Sequence, residues 1–477
     1  MPRICCGAIP VMAVLLAVPQ RAVAQEPQQC VLQFESRTEP RTRLEQLPSG
    51  KYNAFQGGGV TYHCEGQGNT LVADSAEYYG EQGVLYLIGH VHYSEPRARV
   101  NSERMTYYQL EDRLHAEGNV DVTLRSGTTM TGPEMDYYRV TVTRPLARAV
   151  ATGRPRMKLI ETDAQGKPGA PVDVLANAIT AEGDNLVYAS GRVEITKPDM
   201  ISRSDSAMLD SEHEFVQLTK TPTVESRTGR PFSLAGGTID LYSRQRILWR
   251  VVATPGGRVI SQDLELLADS VDLRVRDNQL QRVMAWGSRS RAKAVSPERE
   301  IIADSIDAVM PGQVLREVRA MRDAYVNSVA DTARIESTER DWMRGESIIA
   351  QFDPVATAKG ETKPRPRQIV ATGDASSFYQ LQSNTVVRSQ PSINYVRGKI
   401  ITVSFTEGEV NTVDVVEQAA GVYLEPGGSE TEEGGRSAIP GASRPTQPTP
   451  TTTPPKTGGK TEVKTPAPKS QTKRDVP

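Results

Sequence analysis

Three histidines near the start of the chain are the residues that could bind a metal ion. His90 and His92 are two positions apart, so on a strand they would share one face, and His63 could join them. No pattern of carboxylates completes a ligand set around them, and polar residues beside a hairpin corner are ordinary. We therefore expect neither a metal site nor a cofactor.

Aspartate-serine pairs recur along the chain and could suggest hydrolase chemistry. A serine nucleophile needs a base within hydrogen-bonding reach, but all five histidines lie at or before His213, so the later pairs have none nearby in sequence. We expect these side chains to bond backbone groups at the starts of strands, and we expect no enzymatic activity. The pairs occur in the words Ala73-Asp74-Ser75, Ser204-Asp205-Ser206, Ala268-Asp269-Ser270 and Ala303-Asp304-Ser305.

These words belong to a longer repeated phrase, which must position whatever the chain binds. Each copy runs from the aspartate word through alternating residues and a polar turn, then through a corner that ends in glycine. Repeat periods of about 20–50 residues indicate a stacked architecture. We expect each corner glycine to supply a bend or bulge. The corners are Leu87-Ile88-Gly89, Ala116-Glu117-Gly118, Ala151-Thr152-Gly153, Ala189-Ser190-Gly191, Ala285-Trp286-Gly287 and Ala371-Thr372-Gly373.

The composition and the short apolar runs indicate an all-β protein. The chain has 477 residues, of which 38% are hydrophobic and 5% aromatic, which is typical of thin layered β structure. A net charge of −2 does not suggest a nucleic acid partner. Helical patterns are few, and only the stretch Arg316–Arg344 is assigned a short helix.

Both ends of the sequence have distinctive compositions. Residues 1–24 resemble a signal peptide, with Arg3 before an apolar stretch and an Ala-x-Ala cleavage site at Ala22-Val23-Ala24, so we expect an exported, periplasmic protein. Residues 25–50 form a polar lead-in segment. Residues 427–477 are rich in Gly, Thr, Pro and Lys and cannot bury enough surface to fold, so we expect a disordered tail.

Removing the signal peptide leaves two cysteines, Cys30 and Cys64. An even count in an oxidising compartment favours one disulfide, which would be worth roughly 3–4 kcal/mol for a loop of this size. Two unpaired thiols are the alternative. A metal pair is disfavoured because no Cys-x-x-Cys or His-x-x-x-His pattern accompanies these residues.

The repeated phrase resembles a known family. The segment ADSAEYYGEQGVLYLIGHVHY, followed by LEDRLHAEGNVDV, is similar to the OstA-like, LptA-type module of lipopolysaccharide transport, most clearly from Gly59 to Tyr138 and more loosely to Pro426. The resemblance implies an open, twisted β-jellyroll of stacked antiparallel hairpins with an apolar groove that carries lipid acyl chains. Length allows tandem modules at 51–225 and 226–426. The composition after Pro426 does not predict the membrane barrel of the outer-membrane family member.

The proposed groove would be lined by alternate residues of the strands, because these point to one face. The alternative is that they pack together as an ordinary core. The strand Val84–Ile88 carries large residues on both faces, so its inward register stays open. The candidate groove residues are Leu85, Leu87, Val91, Tyr93, Val120, Val122, Val193, Ile195, Ile247, Trp249, Leu273 and Val275.

Two classes of function remain to be weighed. The resemblance implies a non-enzymatic carrier or bridge for lipopolysaccharide, which would meet inner- and outer-membrane partners, and other copies of itself, through exposed sheet edges. The rival is a structural or adhesive β-solenoid that binds glycans or cell wall. A solenoid would keep a stricter period of about 20–25 residues. An enzyme acting on polysaccharide is disfavoured because no acid pair converges.

Overall fold

The structure is a computed structural model. All the residues it describes belong to one compact unit that ends at Pro426. The predicted signal peptide, part of the lead-in segment and the predicted tail lie outside the described residues. The described residues are 32–35, 41–66, 68–160, 168–227, 231–261, 264–330, 335–356, 362–381, 389–407 and 409–426.

The N-terminal part consists of strands joined mainly by short turns. Most of these strands have ten or more residues, because each of them continues through a corner and is paired with its neighbours on both sides of it. They are β1 (Leu32–Glu35), β2 (Arg41–Gln46), β3 (Tyr52–Cys64), β4 (Thr70–Tyr79), β5 (Val84–Ser94), β6 (Ala98–Tyr108), β7 (Arg113–Leu124) and β8 (Thr129–Tyr138).

In the middle part the corners divide most runs into two shorter strands. The strands here are β9 (Arg148–Thr152), β10 (Arg156–Leu159), β11 (Val172–Leu175), β12 (Ala178–Glu182), β13 (Leu186–Lys197), β14 (Met200–Asp210), β15 (Phe215–Thr219), β16 (Thr223–Ser226), β17 (Ser233–Ala235), β18 (Thr238–Arg244), β19 (Ile247–Thr254), β20 (Gly257–Ser261), β21 (Leu264–Ala268), β22 (Ser270–Arg276), β23 (Gln279–Trp286), β24 (Ala292–Val295), β25 (Arg299–Ala303) and β26 (Ser305–Val309).

The C-terminal part begins after a single 3-10 turn at Pro311–Gln313. Its strands are β27 (Glu317–Val329), β28 (Arg340–Ala356), β29 (Thr362–Leu381), β30 (Ser392–Thr406), β31 (Glu409–Val416) and β32 (Ala420–Leu424). Among the described residues there is no α-helix. The all-β prediction of repeated antiparallel hairpins is thereby confirmed.

The predicted short helix at Arg316–Arg344 is wrong. Residues of this stretch form β27 and the start of β28, and β27 lies between β26 and β28 with antiparallel pairing on both sides. Val318, Ala320 and Ala324 are buried, whereas Arg319 between the first two is exposed. Neighbouring strands supply the hydrogen bonds, so the tertiary context overrides the helix propensity of the Ala and Arg residues.

The corner glycines lie at bends or bulges, as predicted. Four of the six lie at bulges within a strand, namely Gly89, Gly118, Gly191 and Gly373, and the other two, Gly153 and Gly287, lie between separate strands. Between β5 and β6 the register shifts from Ile88 to Val91, which leaves Gly89 and His90 unpaired. Both have positive φ, +77° for Gly89 and +45° for His90. A bulge of this kind turns the strand, so the residues after the corner enter a second sheet.

The corners fold the hydrogen-bonded strands into two facing sheets, which we call wall A and wall B. The long bulged strands contribute residues to both walls. Wall A contains, in spatial order, parts or all of β2, β3, β4, β5, β6, β7, β8, β9, β12, β13, β14, β15, β18, β19, β22, β23, β26, β27, β28, β29, β30 and β31. Wall B contains β1, β3, β4, β5, β6, β7, β8, β10, β11, β13, β14, β16, β17, β20, β21, β24, β25, β27, β28, β29, β30 and β32.

The core lies between the two walls. Burial alternates along the strands, as in β5, where Leu85, Leu87, Val91 and Tyr93 are buried and Tyr86 and Ile88 are exposed. Inward-facing residues of both walls join one hydrophobic cluster. The burial pattern settles the register of β5, which the sequence left open, because the buried side chains keep a period of two on both sides of Gly89.

Strand pairing continues across residues 225 and 226, where the sequence predicts a boundary between modules. β16 spans this point, and it pairs with β14 on one side and β17 on the other. The division into modules at 51–225 and 226–426 stays a prediction.

Candidate functional site: the interior between the walls

Nine of the predicted groove residues are buried between the walls. Their exposed fractions are 3% or less, and the nine are Leu85, Leu87, Val91, Tyr93, Val120, Val122, Val193, Ile195 and Leu273. Val275 is partly buried and packs against the same cluster. In the N-terminal part these side chains fill the interior, so they form a packed core there.

The prediction that Ile247 and Trp249 face inward is wrong. β19 carries a bulge opposite Tyr242 and Ser243, and Trp249 is the extra residue in the bulge. Ile247 is 56% exposed, and Leu248 packs against the core instead. One inserted residue reverses which side chains face the core, and the sequence pattern did not reveal the insertion.

On the outer face, Trp249 takes part in a stack of aromatic and guanidinium groups. The Arg244 guanidinium lies 4.2 Å from its ring centroid and that of Arg274 lies 5.2 Å away. The Tyr242 ring is 6.5 Å away. Such cation–π contacts stabilise an exposed aromatic ring by about 0.5–1 kcal/mol each.

The interior opens in the middle of the chain, where turns of the two walls face each other. A cavity of about 250 Å³ lies there. Its floor is apolar and includes Met157, Leu159, Val187 and Leu209. Its rim is polar and carries both signs of charge, from Asp184, Lys197, Asp210, Glu214 and Arg246.

A second cavity, of about 260 Å³, lies between the walls near the C-terminal end of the stack. Wall A supplies residues such as Ile348 and Val403, and wall B supplies residues such as Ile301 and Met343. The lining is mostly apolar. This cavity and the central one are spaces in which an apolar group could be shielded from water.

A buried polar cluster joins the two walls in the N-terminal part. Glu95 belongs to a turn of wall B, whereas Asp112 and Arg139 belong to turns of wall A. The Arg139 guanidinium lies 3.7 Å from a Glu95 carboxylate oxygen and 3.3 Å from Asp112 Oδ1. The three side chains are only 11–13% exposed.

Three tyrosine hydroxyls complete the cluster. The Tyr93 hydroxyl donates to Glu95 Oε2 at 2.6 Å, and the Tyr137 hydroxyl donates to Glu95 Oε1. The Tyr107 hydroxyl donates to Asp112 Oδ1 at 2.7 Å. The carboxylate of Glu95 therefore accepts one hydrogen bond from each wall.

The surroundings keep these groups in the protonation states that the hydrogen bonds require. Burial raises the pKa values of Tyr93, Tyr107 and Tyr137, and the adjacent carboxylates raise them further. Burial by itself would lower the pKa of Arg139, but the neighbouring tyrosines and carboxylates outweigh it, and the pKa is raised. The tyrosines remain donors and the guanidinium remains charged.

The sequence contains a signal for two of the three tyrosines in this cluster, Tyr107 and Tyr137. The doublets Tyr78-Tyr79, Tyr107-Tyr108 and Tyr137-Tyr138 are spaced 29 and 30 residues apart. In wall A this spacing places the first tyrosine of each doublet in one row, on the alternate strands β4, β6 and β8, with Leu85 and Leu114 between them. Tyrosines at equal spacing along a chain of repeated hairpins predict such a row.

Two of the four aspartates in the repeated words bond backbone groups at the corners. The other two contact side chains: Asp74 contacts His90, and Asp304 pairs with Arg291 and Arg322. Asp269 accepts hydrogen bonds from the backbone N–H groups of Ser288, Arg289 and Ser290. Asp205 accepts one from the backbone of Arg192 at 3.3 Å. These contacts give the aspartates a role in holding the corners.

The three histidines considered as metal ligands each contact a different partner. His90 Nδ1 lies 2.8 Å from Asp74, His92 Nδ1 lies 2.8 Å from Asn101, and His63 Nε2 lies 3.1 Å from Gln33. Within the ranges that the structure describes, no group of three or more His, Cys, Asp or Glu side chains could hold a metal ion.

Cys64 is disulfide-bonded. Cys30, its predicted partner, lies outside the described residues, so the pairing stays a prediction. Leu32, two positions after Cys30 in the sequence, pairs with Cys64 across β1 and β3. Asn69 donates to the Cys64 sulfur at 3.1 Å and accepts from the Cys64 backbone at 2.9 Å.

No protein-family model matches the chain, and no curated protein matches it. In the described part of the chain, no helix has the length and apolar character needed to cross a bilayer.

Proposed function

We propose that this chain is a non-enzymatic periplasmic carrier or bridge protein for lipopolysaccharide or a related lipid. The observation that carries the proposal is the interior between the walls, which combines apolar lining with cavities of about 250 and 260 Å³. The resemblance of Gly59 to Tyr138 to the OstA-like family supports it. The export pattern at residues 1–24 supports a periplasmic location.

Transfer of a lipid between membranes exposes its acyl chains to water. At about 0.8 kcal/mol per methylene, a chain of about twelve carbons costs roughly 10 kcal/mol. An apolar interior removes most of this cost. The central cavity suits an amphiphile, because its apolar floor could hold the chain while its rim, which carries both signs of charge, meets the polar headgroup.

The ends of the walls would meet membrane partners or another copy of the chain. Among the residues that the structure describes, β2 and β31 are the end strands of wall A, and β1 and β32 are the end strands of wall B. Every residue of β2 and β32 is exposed, including Tyr423 at 53%. An end strand offers unpaired backbone groups on one side, to which a strand of a partner can add.

The alternative is glycan or cell-wall binding on the outer face of wall A. A surface depression of about 550 Å³ lies there and is lined by Glu77, Tyr79, Tyr86 and Arg104, among other residues. The rings of Tyr79 and Tyr86 meet edge to face at 5.7 Å, and Tyr86 is 40% exposed. Exposed tyrosine rings beside carboxylate and guanidinium groups suit sugar rings and their hydroxyls.

Photo-crosslinking in lipopolysaccharide-producing cells tests the proposal. A photoactivatable residue is placed at Leu209, which is 4% exposed and lines the central cavity, or at Met343 in the second cavity. Met208 is the matched control, since it neighbours Leu209 but faces outward. We expect lipid adducts at Leu209 and Met343 and none at Met208.

Glycan adducts at Tyr86 without lipid adducts at the interior positions would favour the alternative. Equal lipid labelling at Leu209 and Met208 would contradict the carrier function, because it would show that the interior is not the binding surface.

A further inference from the structure

We propose that Glu95, Arg139 and Asp112 form a clasp that keeps the N-terminal section of the interior closed. Lipid would then gain access only through the central cavity and the C-terminal cavity. By the N-terminal section we mean the space between the walls along β4 to β8. This inference rests on the proposed carrier function and concerns the control of access to the same site.

The clasp joins the walls at their open side, opposite the corners. Glu95 lies in the turn after β5 in wall B, and Asp112 and Arg139 lie in turns next to β7 and β8 in wall A. Arg139 also donates to the sulfur of Cys64, in wall B, at 3.7 Å. The guanidinium therefore contacts both walls.

The hydrogen bonds to Glu95 make the closure cooperative. One carboxylate oxygen accepts from Tyr93 of wall B and the other from Tyr137 of wall A. Separating the walls here would break the contact with Tyr137 and the ion pair with Arg139 together. Breaking either contact would leave a buried polar group without its partner, which is unfavourable unless water takes the partner's place.

The interior is narrow beside the clasp and wider further along the stack. Beside Tyr137 the cavity is only about 40 Å³, whereas the central cavity further along the chain is about 250 Å³. Leu85 and Leu87, deeper in the N-terminal section, are at most 1% exposed. A lipid chain would have to displace packed side chains in order to occupy this section.

A leucine-based crosslinking experiment tests the clasp. The full-length protein is prepared with a photoactivatable diazirine analogue in place of leucine, which keeps roughly the size of each side chain. It is incubated with purified lipopolysaccharide, irradiated and digested, and adducts are located by mass spectrometry. Leu159 and Leu209 report on the central cavity, and Leu85, Leu87 and Leu114 report on the N-terminal section.

We expect adducts at Leu159 and Leu209 in the unmodified chain, with far fewer at Leu85, Leu87 and Leu114. The variant Arg139→Met should raise adducts at those three leucines by about tenfold, because the loss of one partner leaves charges buried and unpaired. Glu95→Gln should act in the same direction and provides a second test if Arg139→Met folds poorly.

The matched control is Arg113→Met. Arg113 also pairs with two carboxylates, Glu111 at 2.7 Å and Asp136 at 2.9 Å, but both belong to wall A. The Arg113→Met variant should leave the adduct pattern unchanged. Equal labelling of both leucine sets in the unmodified chain, or an unchanged pattern in both clasp variants, would overturn the clasp alone. Absence of adducts at all five leucines would overturn the clasp, because lipid would then not enter at the central cavity. If Met343 in the C-terminal cavity also stays unlabelled in the experiment above, the carrier function fails as well.

Discussion

Asp74 packs against Gly89 of the neighbouring strand, so closely that a Cβ atom on Gly89 would lie 2.3 Å from Asp74 Oδ2. The same contact recurs where Glu103 meets Gly118 and where Asn177 meets Gly191. The word that opens the repeated phrase and the glycine that ends its corner therefore contact each other across adjacent strands. In sequence, Asp74 and Gly89 are separated by the rest of β4, the turn and the first part of β5.

Substitution of Gly89 by alanine should destabilise the fold for two reasons. The residue has a φ of +77°, which costs an L-residue about 1–2 kcal/mol, and the added Cβ would collide with Asp74. We expect a loss of about 2–3 kcal/mol in the free energy of unfolding, measured by urea titration. Gly58→Ala is the control, since its φ is +90° but no atom lies within 4 Å of the added Cβ. Equal losses in the two variants would show that the contact with Asp74 is unimportant.

Asp269 should stabilise its corner in a pH-dependent way. Hydrogen bonds from Ser290 and from the backbone of residues 288–290 lower the pKa of its carboxyl below the usual 3.8. A lowered pKa in the folded state means that the stabilisation is present above pH 3.8 and is lost as the pH falls further. Asp269→Ala should therefore melt at a lower temperature at neutral pH, and the difference should shrink on acidification. A difference that stays constant down to about pH 2 would contradict this assignment.

The corrected register of β19 predicts opposite outcomes for two residues that the sequence placed together. Leu273→Ala should reduce the free energy of unfolding by about 3 kcal/mol, because Leu273 is fully buried and its loss leaves a cavity. Ile247→Ala should change it by about 0.5 kcal/mol or less, because Ile247 is 56% exposed. Chemical denaturation of both variants provides the measurement. A large loss in the free energy of unfolding of Ile247→Ala would show that Ile247 faces the core.

Tyr107 should make the fold sensitive to alkaline conditions. Burial, and then the Asp112 carboxylate, raise its pKa above the usual 10.0. A raised pKa means that the stabilisation is complete below pH 10.0 and is lost as the pH rises. Tyr107→Phe should cost about 1 kcal/mol at neutral pH through the lost hydrogen bond. It should also show a smaller decline in stability between about pH 9 and 11 than the unmodified chain. If stability declined equally in Tyr107→Phe and in the unmodified chain, Tyr107 would be excluded as a source of the sensitivity to high pH.

Much of the architecture follows from local sequence. Alternation of apolar and polar residues with a period of two is enough to predict strands, and glycine at each corner is enough to predict a bend or bulge, because both depend on neighbouring residues only. The inward positions of Leu85, Val122 and Ile195 follow from the same rule. Nine of the twelve groove positions are buried for this reason.

Tertiary structure decided what depends on pairing between distant residues. The extra residue in β19 became visible only through its register against β18, and it moved Ile247 and Trp249 to the outer face. The strand identity of β27 depends on hydrogen bonds from β26 and β28, which outweigh local helix propensity. The contact of Glu95 with Arg139 joins two walls whose closure no local pattern encodes, because burial of charges depends on which turns face each other across the interior.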